Sequence, residues 1–424
     1  MKLICRQSRL QGEVQIPGSK SHTIRAVAIA SLAAGNSTIR VPLDSNDTRA
    51  AVDAYRALGA EIALDSDAWR VSGTGGDLRV PENVIDVRNS GVTLRTGMGS
   101  CALLREGLAV ITGDEQIRRR PAGPLAASLN DLGANVRSTR GTGAAPFVVE
   151  GRLRGGETSI EAVTSQYLSA LLINCPLADG DTIIRVPLLN EAPYVEITLD
   201  WIGRHGITFE HDALREFRLP GGQQYQPVDR AMPADFSSAT FFLGAGALGD
   251  NDVLLRGLDM TDTQGDKAVV GYVRQMGAQV EETPEGIRVH ARDLTGCELD
   301  LNATPDALPT MAVLGCFAKG ATRLVNVPQA RVKETDRIAV MSTELAGLGA
   351  RVEELEDGLV VHQSNLTGAE VQGHGDHRVV MALAVAGCAI PGTTIIHGAE
   401  AAAVTFPEFA DSMIALGASI TRED

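Results

Sequence analysis

A short phrase of Leu or Met, Gly and Ala recurs along the chain, and residues that favour strands follow it. The six copies begin at Leu58, Leu132, His205, Met276, Leu348 and Leu416, of which His205-Gly206-Ile207 is a degenerate copy. A second series of glycines opens strand-like segments, at Gly35, Gly107, Gly180, Gly249, Gly320 and Gly392. Both series keep a nearly constant interval of about 70 residues, and two independent series with one period predict six structural repeats.

Each repeat has the same order of predicted elements. An Ala- and Leu-rich helix runs to a glycine, the residue that most often ends a helix. A β-branched strand follows, and then a second helix, predicted over residues 47–58 in the first repeat and 334–348 in the fifth. One or two strands close the repeat. This alternation of helices and strands predicts an α/β protein.

The distribution of the repeats predicts two domains, which a length of 424 residues also favours. The sixth repeat ends at Ile420 without closing strands, whereas the chain begins with two strand-like segments. We therefore expect residues 1–13 to complete the last repeat. The predicted domains are 14–228 and 1–13 plus 229–424, with three repeats in each and two crossovers between them. The polar, Gly-rich segment 221–229 suits the second crossover.

The net charge limits the classes of partner. The formal charge is −15, and acidic residues are scattered along the chain rather than clustered. Nucleic acids and anionic membrane surfaces both require a basic surface, so neither is an expected partner. Small anionic substrates stay possible, because a local cluster of arginines and lysines can outweigh the overall field. The longest apolar run, 379–390, is shorter than the roughly 20 residues that a membrane span needs.

The cysteines and the N-terminus predict a cytoplasmic protein. None of the six cysteines forms a Cys-x-x-Cys pair, and most stand in apolar segments, which is typical of reduced thiols in a protein core. The first residues contain no apolar stretch of the kind found in a signal peptide.

A polar cluster stands where the first helix of each repeat begins. The six clusters are Gly18-Ser19-Lys20-Ser21, Asn89-Ser90-Gly91, Thr164-Ser165-Gln166, Asp235-Phe236-Ser237-Ser238, Pro305-Asp306 and Asp376-His377-Arg378. One such cluster alone is most simply a helix cap, which is the preferred interpretation for Ser237 and Ser238. Six in register indicate more, because helix N-termini present free N–H groups that bind phosphate or carboxylate. We expect these helix starts to converge on the gap between the domains.

Basic residues stand in or near the same clusters, at Lys20, Arg25, Arg95, Arg120, Lys333, Arg337 and Arg378. Taken singly, each is most simply a solvated residue or half of a salt bridge. Taken together, they predict a site that holds several anionic groups at once. The first cluster lacks the spacing of a phosphate-binding loop of the GxxxxGK type. No cysteine or carboxylate supports His374, His377 and His397 as a metal site, so no metal is expected.

At these motifs the chain resembles the 5-enolpyruvylshikimate-3-phosphate synthase family over nearly its full length. The most specific matches are Pro17-Gly18-Ser19-Lys20-Ser21 with Arg25, Asn89-Ser90-Gly91 with Arg95, Arg120-Pro121, Ser165-Gln166, Pro305-Asp306, the run 331–337 and Asp376-His377-Arg378. The resemblance implies two inside-out α/β barrel domains, each of three βαβαββ repeats. Two crossovers would join them, with the active site in the cleft.

The resemblance also implies an activity. The family transfers the enolpyruvyl group of phosphoenolpyruvate to the 5-hydroxyl of shikimate 3-phosphate and releases phosphate, with no metal or organic cofactor. By motif, Arg337 and Arg378 would hold the phosphoenolpyruvate carboxylate, as bidentate guanidinium groups do. Lys20 and Arg120 would hold its phosphate.

The same resemblance assigns the acceptor and the acid–base residues. Ser21 and Arg25 would bind the shikimate carboxylate. The rest of the acceptor and its phosphate would contact Thr164, Ser165, Gln166 and Lys333. Further positions in the substrate-binding motifs are Asn89, Gly91, Arg95, Glu191, Gln329 and His377. Asp306 is the candidate base for the 5-hydroxyl, and Glu334, with Lys20, is the candidate acid for the methylene carbon.

Two departures from the family pattern concern charge. Val404 stands where the family carries a lysine, immediately before Thr405-Phe406-Pro407. Glu191 stands where the family carries a serine that contacts the acceptor's phosphate. Val92, Thr164 and Gln329 are smaller changes. Because both larger changes make the site more negative, we expect poorer recognition of shikimate 3-phosphate than is typical of the family.

Three alternatives follow. The acceptor of the same reaction could be a different cyclic alcohol, or the chain could be a non-catalytic homologue that only binds a ligand. A UDP-N-acetylglucosamine enolpyruvyl transferase is disfavoured, because residues 113–120 contain no cysteine and Ser21 follows Lys20 where that family has asparagine. The chain is expected to be a monomer that takes small anionic substrates.

Overall fold

The computed structural model describes residues 1–424. The strands are β1 Lys2–Arg6, β2 Gln11–Gln15, β3 Ala34–Arg40, β4 Glu61–Leu64, β5 Ala68–Thr74, β6 Ile85–Asp86, β7 Leu108–Thr112, β8 Asn135–Ser138, β9 Phe147–Glu150, β10 Gly156–Ala162, β11 Thr182–Leu189, β12 Glu210–Asp212, β13 Glu216–Leu219, β14 Asp229–Ala231, β15 Asp252–Arg256, β16 Gln279–Thr283, β17 Gly286–His290, β18 Glu298–Asp300, β19 Ala321–Val325, β20 Arg351–Leu355, β21 Gly358–His362, β22 Glu370–Gln372, β23 Thr393–His397 and β24 Ser419–Glu423.

The α-helices are α1 Lys20–Leu32, α2 Asn46–Ala57, α3 Gly91–Cys101, α4 Gly123–Asp131, α5 Ser165–Asn174, α6 Ala192–Arg204, α7 Phe236–Gly246, α8 Ala268–Gln275, α9 Leu308–Phe317, α10 Arg337–Gly347, α11 His377–Ala389 and α12 Phe409–Ala415. Short 3₁₀ helices cover Cys175–Leu177, Gly265–Lys267, Pro305–Ala307, Pro328–Val332 and Ala399–Val404.

The chain forms two compact units. Residues 18–232 form one, here called the central unit, and residues 1–17 with 233–424 form the other, here called the terminal unit because it contains both chain ends. Each has its own apolar core.

Each unit contains three four-stranded sheets with one common plan. In the central unit the strand orders are β14-β3-β5-β4, β6-β7-β9-β8 and β10-β11-β13-β12; in the terminal unit they are β2-β15-β17-β16, β18-β19-β21-β20 and β22-β23-β1-β24. The first two strands of every sheet are parallel. The other neighbours are antiparallel, as in β3 with β5 and β4 with β5. The predicted α/β fold with six repeats is confirmed.

The chain passes between the units slightly later than the boundaries expected at 14 and 228. Strand β2 pairs with β15, from Gln11 with Asp252 to Gln15 with Arg256, and therefore lies wholly in the terminal unit. Strand β14 pairs with β3 in the central unit, from Asp229 with Thr38 to Ala231 with Arg40. Each crossover thus falls between a strand and the helix that follows it, rather than before the strand.

The N-terminal segment serves two repeats rather than one. Strand β1 lies between β23 and β24, so it completes the sixth repeat as expected. Strand β2 instead completes the sheet of the fourth repeat, and the expectation that all of residues 1–13 serve the last repeat is wrong. The sixth repeat also has a closing strand of its own, β24, which pairs with β1.

The first helix of each repeat lies inside its unit. All residues of α7 are buried, and so is α11 from His377 to Cys388. The second helix buries only one face, as α2 does with Ala50, Ala51 and Ala54 among its buried residues. Small residues let the inner helices approach closely: a Cβ added at Gly244 of α7 would lie 2.5 Å from Cγ2 of Thr310 in α9.

Helix α10 begins three residues after the predicted start at 334. Its N-cap is Asp336, whose Oδ1 accepts a hydrogen bond from the backbone N–H of Ala339 at 3.0 Å. A carboxylate in this position supplies an acceptor that the first helical turn otherwise lacks. Residues 333–336 therefore form the approach to the helix, and Glu334 lies before it.

Candidate active site

Lys20 is the first residue of α1, and an ion pair fixes its ammonium group. Its Nζ lies 3.0 Å from Oδ2 of Asp47, in the first turn of α2, and both side chains are largely buried. The N-cap of α1 is Ser19, whose buried hydroxyl makes no hydrogen bond. The first repeat thus presents a positioned cation next to a helix start.

Two guanidinium groups converge on Gly91 at the start of α3. A Cβ added at Gly91 would lie 2.7 Å from Nη1 of Arg95 and 2.8 Å from both Nη atoms of Arg120. Both arginines are buried, and Arg95 donates to the carbonyl oxygens of Gly91 and Pro121, each at 2.9 Å. Two buried like charges so close together favour an anion between or beside them.

Asn89 shapes the segment that leads into α3. Its Nδ2 donates to Oδ2 of Asp114 at 2.6 Å and to Oε1 of Gln116 at 2.9 Å. These bonds hold together the loop that precedes α3 and the loop that follows β7.

The start of α5 is occupied by a carboxylate of the protein itself. Oε2 of Glu191 accepts hydrogen bonds from Oγ1 of Thr164 at 3.1 Å, from the backbone N–H of Ser165 at 3.0 Å and from Oγ of Ser165 at 2.6 Å. Thr164 is the N-cap of the helix, and Gln166 follows in its first turn. Glu191 is only 1% exposed.

Arg25 bridges three helices through buried hydrogen bonds. It donates to Oγ1 of Thr198 at 2.9 Å, to the carbonyl oxygen of Tyr194 at 2.9 Å and to that of Ser21 at 3.0 Å, and more weakly to Oγ of Ser169 at 3.4 Å. Burial lowers the pKa of the Arg25 guanidinium to about 10. In this structure Arg25 joins α1, α5 and α6, and it fixes the backbone at Ser21.

In the terminal unit, Arg337 lies among three carboxylates. It donates to Oδ1 of Asp306 at 2.7 Å, to Oε2 of Glu334 at 2.6 Å and to Oδ2 of Asp376 at 2.8 Å. Arg378 lies 2.8 Å from the other oxygen of Asp306. The structure therefore brings together the candidate base, the candidate acid and both arginines assigned to the phosphoenolpyruvate carboxylate. We call these five residues the Arg337 cluster.

The electrostatics of the cluster keep Arg337 charged. Burial alone would lower the pKa of its guanidinium, but the charges of Asp376, Glu334 and Asp306 outweigh burial and raise the pKa above its ordinary value. The side chain of Arg337 is only 1% exposed, so these contacts are shielded from solvent.

The remaining predicted residues of the terminal unit lie near the same segments. Gln329 is buried and donates from Nε2 to the carbonyl oxygen of Asn302 at 2.9 Å. Lys333 is half-buried and follows the 3₁₀ helix Pro328–Val332. His377 is the first residue of α11 and is 1% exposed. Val404 ends the 3₁₀ helix Ala399–Val404 and is half-buried.

Several partners of the predicted residues could not be identified from the sequence. Asp47 pairs with Lys20, and Asp376 anchors Arg337 while accepting from the backbone N–H of Arg378 at 2.8 Å. Asp376 stood inside a recognised motif, but nothing in the sequence indicated a partner on another helix. Ser237 and Ser238 lie inside α7 behind its N-cap, Asp235, so the interpretation of either serine as a cap is wrong.

No group of three or more His, Cys, Asp and Glu side chains has an arrangement that could hold a metal ion. None of the helices combines the length and the apolar character that crossing a bilayer requires.

Solved structures define the class to which this fold belongs. An EPSP synthase from Acinetobacter baumannii matches with a TM-score of 0.83 and 25% identity over 100% of both chains. The enolpyruvyl transferase NikO from Streptomyces tendae has the same fold, with a TM-score of 0.79 and 20% identity over 99% of this chain and 98% of that one. The fold is that of the enolpyruvyl transferases.

Sequence comparison narrows the class to one family. The family model of EPSP synthase (3-phosphoshikimate 1-carboxyvinyltransferase) matches residues 4–413. Proteins named 3-phosphoshikimate 1-carboxyvinyltransferase from Acetivibrio thermocellus and Ruminiclostridium cellulolyticum are 52% and 50% identical over 99% of this chain and 99% of their own length. One from Methanocella arvoryzae is 44% identical over 98% of both. The chain belongs to the EPSP synthase family.

Proposed function

We infer that this enzyme transfers the enolpyruvyl group of phosphoenolpyruvate to the 5-hydroxyl of shikimate 3-phosphate and releases phosphate. Membership of the family supports the reaction. The observation that carries the assignment of residues is the Arg337 cluster, in which a single guanidinium binds both Asp306 and Glu334. A general base and a general acid held on one fixed cation suit a reaction that takes one proton from oxygen and delivers another to carbon.

In the proposed first step, Asp306 accepts the proton of the acceptor's 5-hydroxyl. The oxygen of that hydroxyl forms a bond to C2 of phosphoenolpyruvate at the same time. Glu334 delivers a proton to C3, which converts the methylene into a methyl group and gives a tetrahedral intermediate. In the second step the carboxylate of Glu334 takes a proton back from that methyl group, the double bond between C2 and C3 re-forms, and the C2–O bond to phosphate breaks. The proton gained at C3 in the first step and the proton lost there in the second cancel. The net proton released is the one that Asp306 took from the 5-hydroxyl, and it leaves with phosphate or solvent.

Arg337 and Arg378 supply the proposed site for the phosphoenolpyruvate carboxylate. Each already binds a different carboxylate oxygen of Asp306, Arg337 at 2.7 Å and Arg378 at 2.8 Å. A substrate carboxylate that takes over part of these contacts would release Asp306 to accept the proton of the 5-hydroxyl. Donor binding would thereby make the base available only when there is a substrate to use it.

The central unit supplies the proposed sites for the phosphates and for the acceptor ring. Lys20, with Arg95 and Arg120 around Gly91, suits the phosphate of phosphoenolpyruvate, since compact cations at a helix start favour a dianion. Thr164, Ser165 and Gln166 would hold the acceptor's phosphate, and Ser21 would hold its carboxylate. Arg25 would act through Ser21, because its own donors are bound within the protein.

The test is phosphate release from phosphoenolpyruvate by the purified enzyme, with shikimate 3-phosphate as acceptor and mass spectrometry of the product. Turnover that persists after exhaustive chelation is expected, because the proposed steps need only protons and fixed cations. Asp306→Asn should lower kcat by about 10²–10⁴-fold. The exposed Asp293, replaced by Asn, is the matched control and should leave the rate unchanged. Absence of product with the wild type would overturn the assignment.

Glu191 favours a second candidate acceptor, a related cyclic alcohol without the phosphate. Its carboxylate holds the donors that a phosphate would need. The same assay with unphosphorylated shikimate decides between the two acceptors.

We further propose that the enzyme acts as a cytoplasmic monomer on small molecules. Six free thiols, of which five are buried, support a reducing compartment. The molar mass of the purified enzyme, measured by analytical ultracentrifugation, tests the predicted monomer.

A further inference from the structure

Hydroxyl and backbone groups at the start of α5 hold one of the two carboxylate oxygen atoms of Glu191. Three donors converge on Oε2: two hydroxyl groups and one backbone N–H, at 2.6 to 3.1 Å. Such a set, at the first turn of a helix, is the kind that binds a phosphate oxygen. The carboxylate is almost completely buried.

The backbone of Glu191 supports a role beyond local structure. Its backbone angles, φ of 60° and ψ of 38°, lie in the left-handed region, which residues other than Gly, Asn and Asp seldom adopt. Glu191 precedes α6 as the N-cap, yet its side chain makes no capping bond to that helix. The side chain reaches across to α5 instead. A residue with strained backbone whose side chain binds the start of a different helix is unusual for an ordinary helix cap.

The donors at α5 cannot serve Glu191 and a substrate phosphate together. The backbone N–H and the hydroxyl of Ser165 each have one proton to donate, and both protons point at Oε2 of Glu191. A dianionic phosphate placed on the same donors would also lie next to a buried carboxylate, and like charges a few ångströms apart repel strongly at low dielectric. Binding of the two anions at this point is therefore mutually exclusive.

We propose that Glu191 is a specificity-determining residue that occupies the acceptor's phosphate site as an internal anion. A phosphorylated acceptor must displace it, whereas an unphosphorylated acceptor binds with Glu191 in place. This inference rests on the proposed function, since it takes α5 to be part of the acceptor site. It predicts that the preference between the two acceptors, rather than the catalytic rate, depends on Glu191.

The experiment measures the dissociation constants of shikimate 3-phosphate and shikimate by isothermal titration calorimetry, for the wild type, Glu191→Gln and Glu191→Ser. Glutamine keeps the shape and removes the charge; serine removes the competitor. Both variants should bind shikimate 3-phosphate on the order of ten- to a hundred-fold more tightly, with shikimate changed by less than about three-fold. The control is Glu196→Gln, which removes the same charge from an exposed position of the same helix.

The outcomes separate this inference from the proposed function. An unchanged ratio of the two dissociation constants in both variants overturns the role of Glu191, even if the wild type turns over shikimate 3-phosphate. Equal weakening of both acceptors, with a lower melting temperature, identifies a structural residue and also overturns it. A wild type that converts neither acceptor refutes the proposed function itself, whatever the binding ratio shows.

Discussion

The two units share one fold but differ in the residues that precede their inner helices. In the central unit the N-caps of α1, α3 and α5 are hydroxyl residues, at Ser19, Ser90 and Thr164. In the terminal unit Asp235 caps α7 and Asp376 caps α11, whereas Asp306 lies inside the 3₁₀ turn that leads into α9, a turn whose N-cap is Thr304. The helix starts of the central unit thus carry neutral caps, whereas each helix start of the terminal unit has a carboxylate at the cap or in the turn that leads into the helix.

This difference divides the chemistry between the units. A helix start with a hydroxyl cap keeps its affinity for an external anion, whereas a carboxylate cap has already neutralised it. Asp306 and Asp376 pair with arginines instead, and the Arg337 cluster results. We infer that the central unit is built to bind the phosphates and the acceptor's carboxylate. The terminal unit positions the acid, the base and the two guanidinium groups proposed for the phosphoenolpyruvate carboxylate. Glu191 breaks the pattern, because it places a carboxylate at a hydroxyl-capped helix.

The largest expected effect comes from removing the cation of the terminal unit. Arg337→Met leaves Asp306, Glu334 and Asp376 without their shared partner in a buried site. Loss of one partner of a buried ion pair typically costs about 3–5 kcal/mol, so a drop of this size in the free energy of unfolding is expected. Urea denaturation measures it. Arg351→Met, at an exposed ion pair, is the control and should cost less than about 1 kcal/mol. A similar small cost for Arg337 would contradict the account of the cluster.

Removing the candidate acid should affect rate more than stability. Glu334→Gln keeps the size of the side chain but cannot donate the proton to C3, so kcat is expected to fall by about 10²–10⁴-fold. Steady-state phosphate release measures the rate, and thermal unfolding checks the fold. Glu356→Gln, at an exposed position of the same unit, serves as the control. A variant that keeps the wild-type kcat would remove Glu334 from the mechanism.

A smaller effect is expected from crowding the cations of the central unit. The Cβ of Gly91→Ala would lie within 2.8 Å of the guanidinium groups of Arg95 and Arg120, which must move apart. We expect KM for phosphoenolpyruvate to rise about ten-fold, which corresponds to about 1.4 kcal/mol. Gly347→Ala is the matched control, because a Cβ at this helical glycine meets nothing within 4 Å. An unchanged KM in Gly91→Ala would mean that the two arginines do not hold the donor.

The smallest effect tests the caps themselves. Asp235 accepts from the backbone N–H of Ser238 at 3.0 Å and from its hydroxyl at 2.7 Å. Loss of such a cap in Asp235→Ala should cost about 0.5–2 kcal/mol of stability. Ser19 makes no capping bond. Ser19→Ala should therefore change stability by no more than about 0.5 kcal/mol. Equal losses in the two variants, measured by urea denaturation, would mean that the caps of the two units are equivalent.

The sequence predicted the repeats because each one needs the same special backbone. The glycine of the Leu-Gly-Ala phrase has a positive φ in every copy, between 90° at Gly206 and 112° at Gly277. Glycine adopts this conformation at the end of a helix without strain. The period of these glycines therefore records the fold directly, and the resemblance to the family supplied the candidate residues.

Long-range partners could not be predicted in this way. The strands β2 and β14 each pair with a strand of a distant repeat, and no local pattern records such an exchange. The sequence marked Glu191 as a departure and placed it near the acceptor's phosphate, but not on the N–H and hydroxyl of Ser165. Likewise, Asp376 is a motif residue whose anchoring of Arg337 depends on how α10 and α11 pack within the terminal unit.

A crystal structure of the wild-type enzyme with shikimate 3-phosphate tests the central claim most directly, because it locates the acceptor's phosphate relative to the hydroxyl-capped helix starts. The account predicts the phosphate on the backbone N–H and hydroxyl of Ser165, with the carboxylate of Glu191 moved off these donors. A phosphate bound elsewhere, with Glu191 still hydrogen-bonded to Thr164 and Ser165, would contradict it.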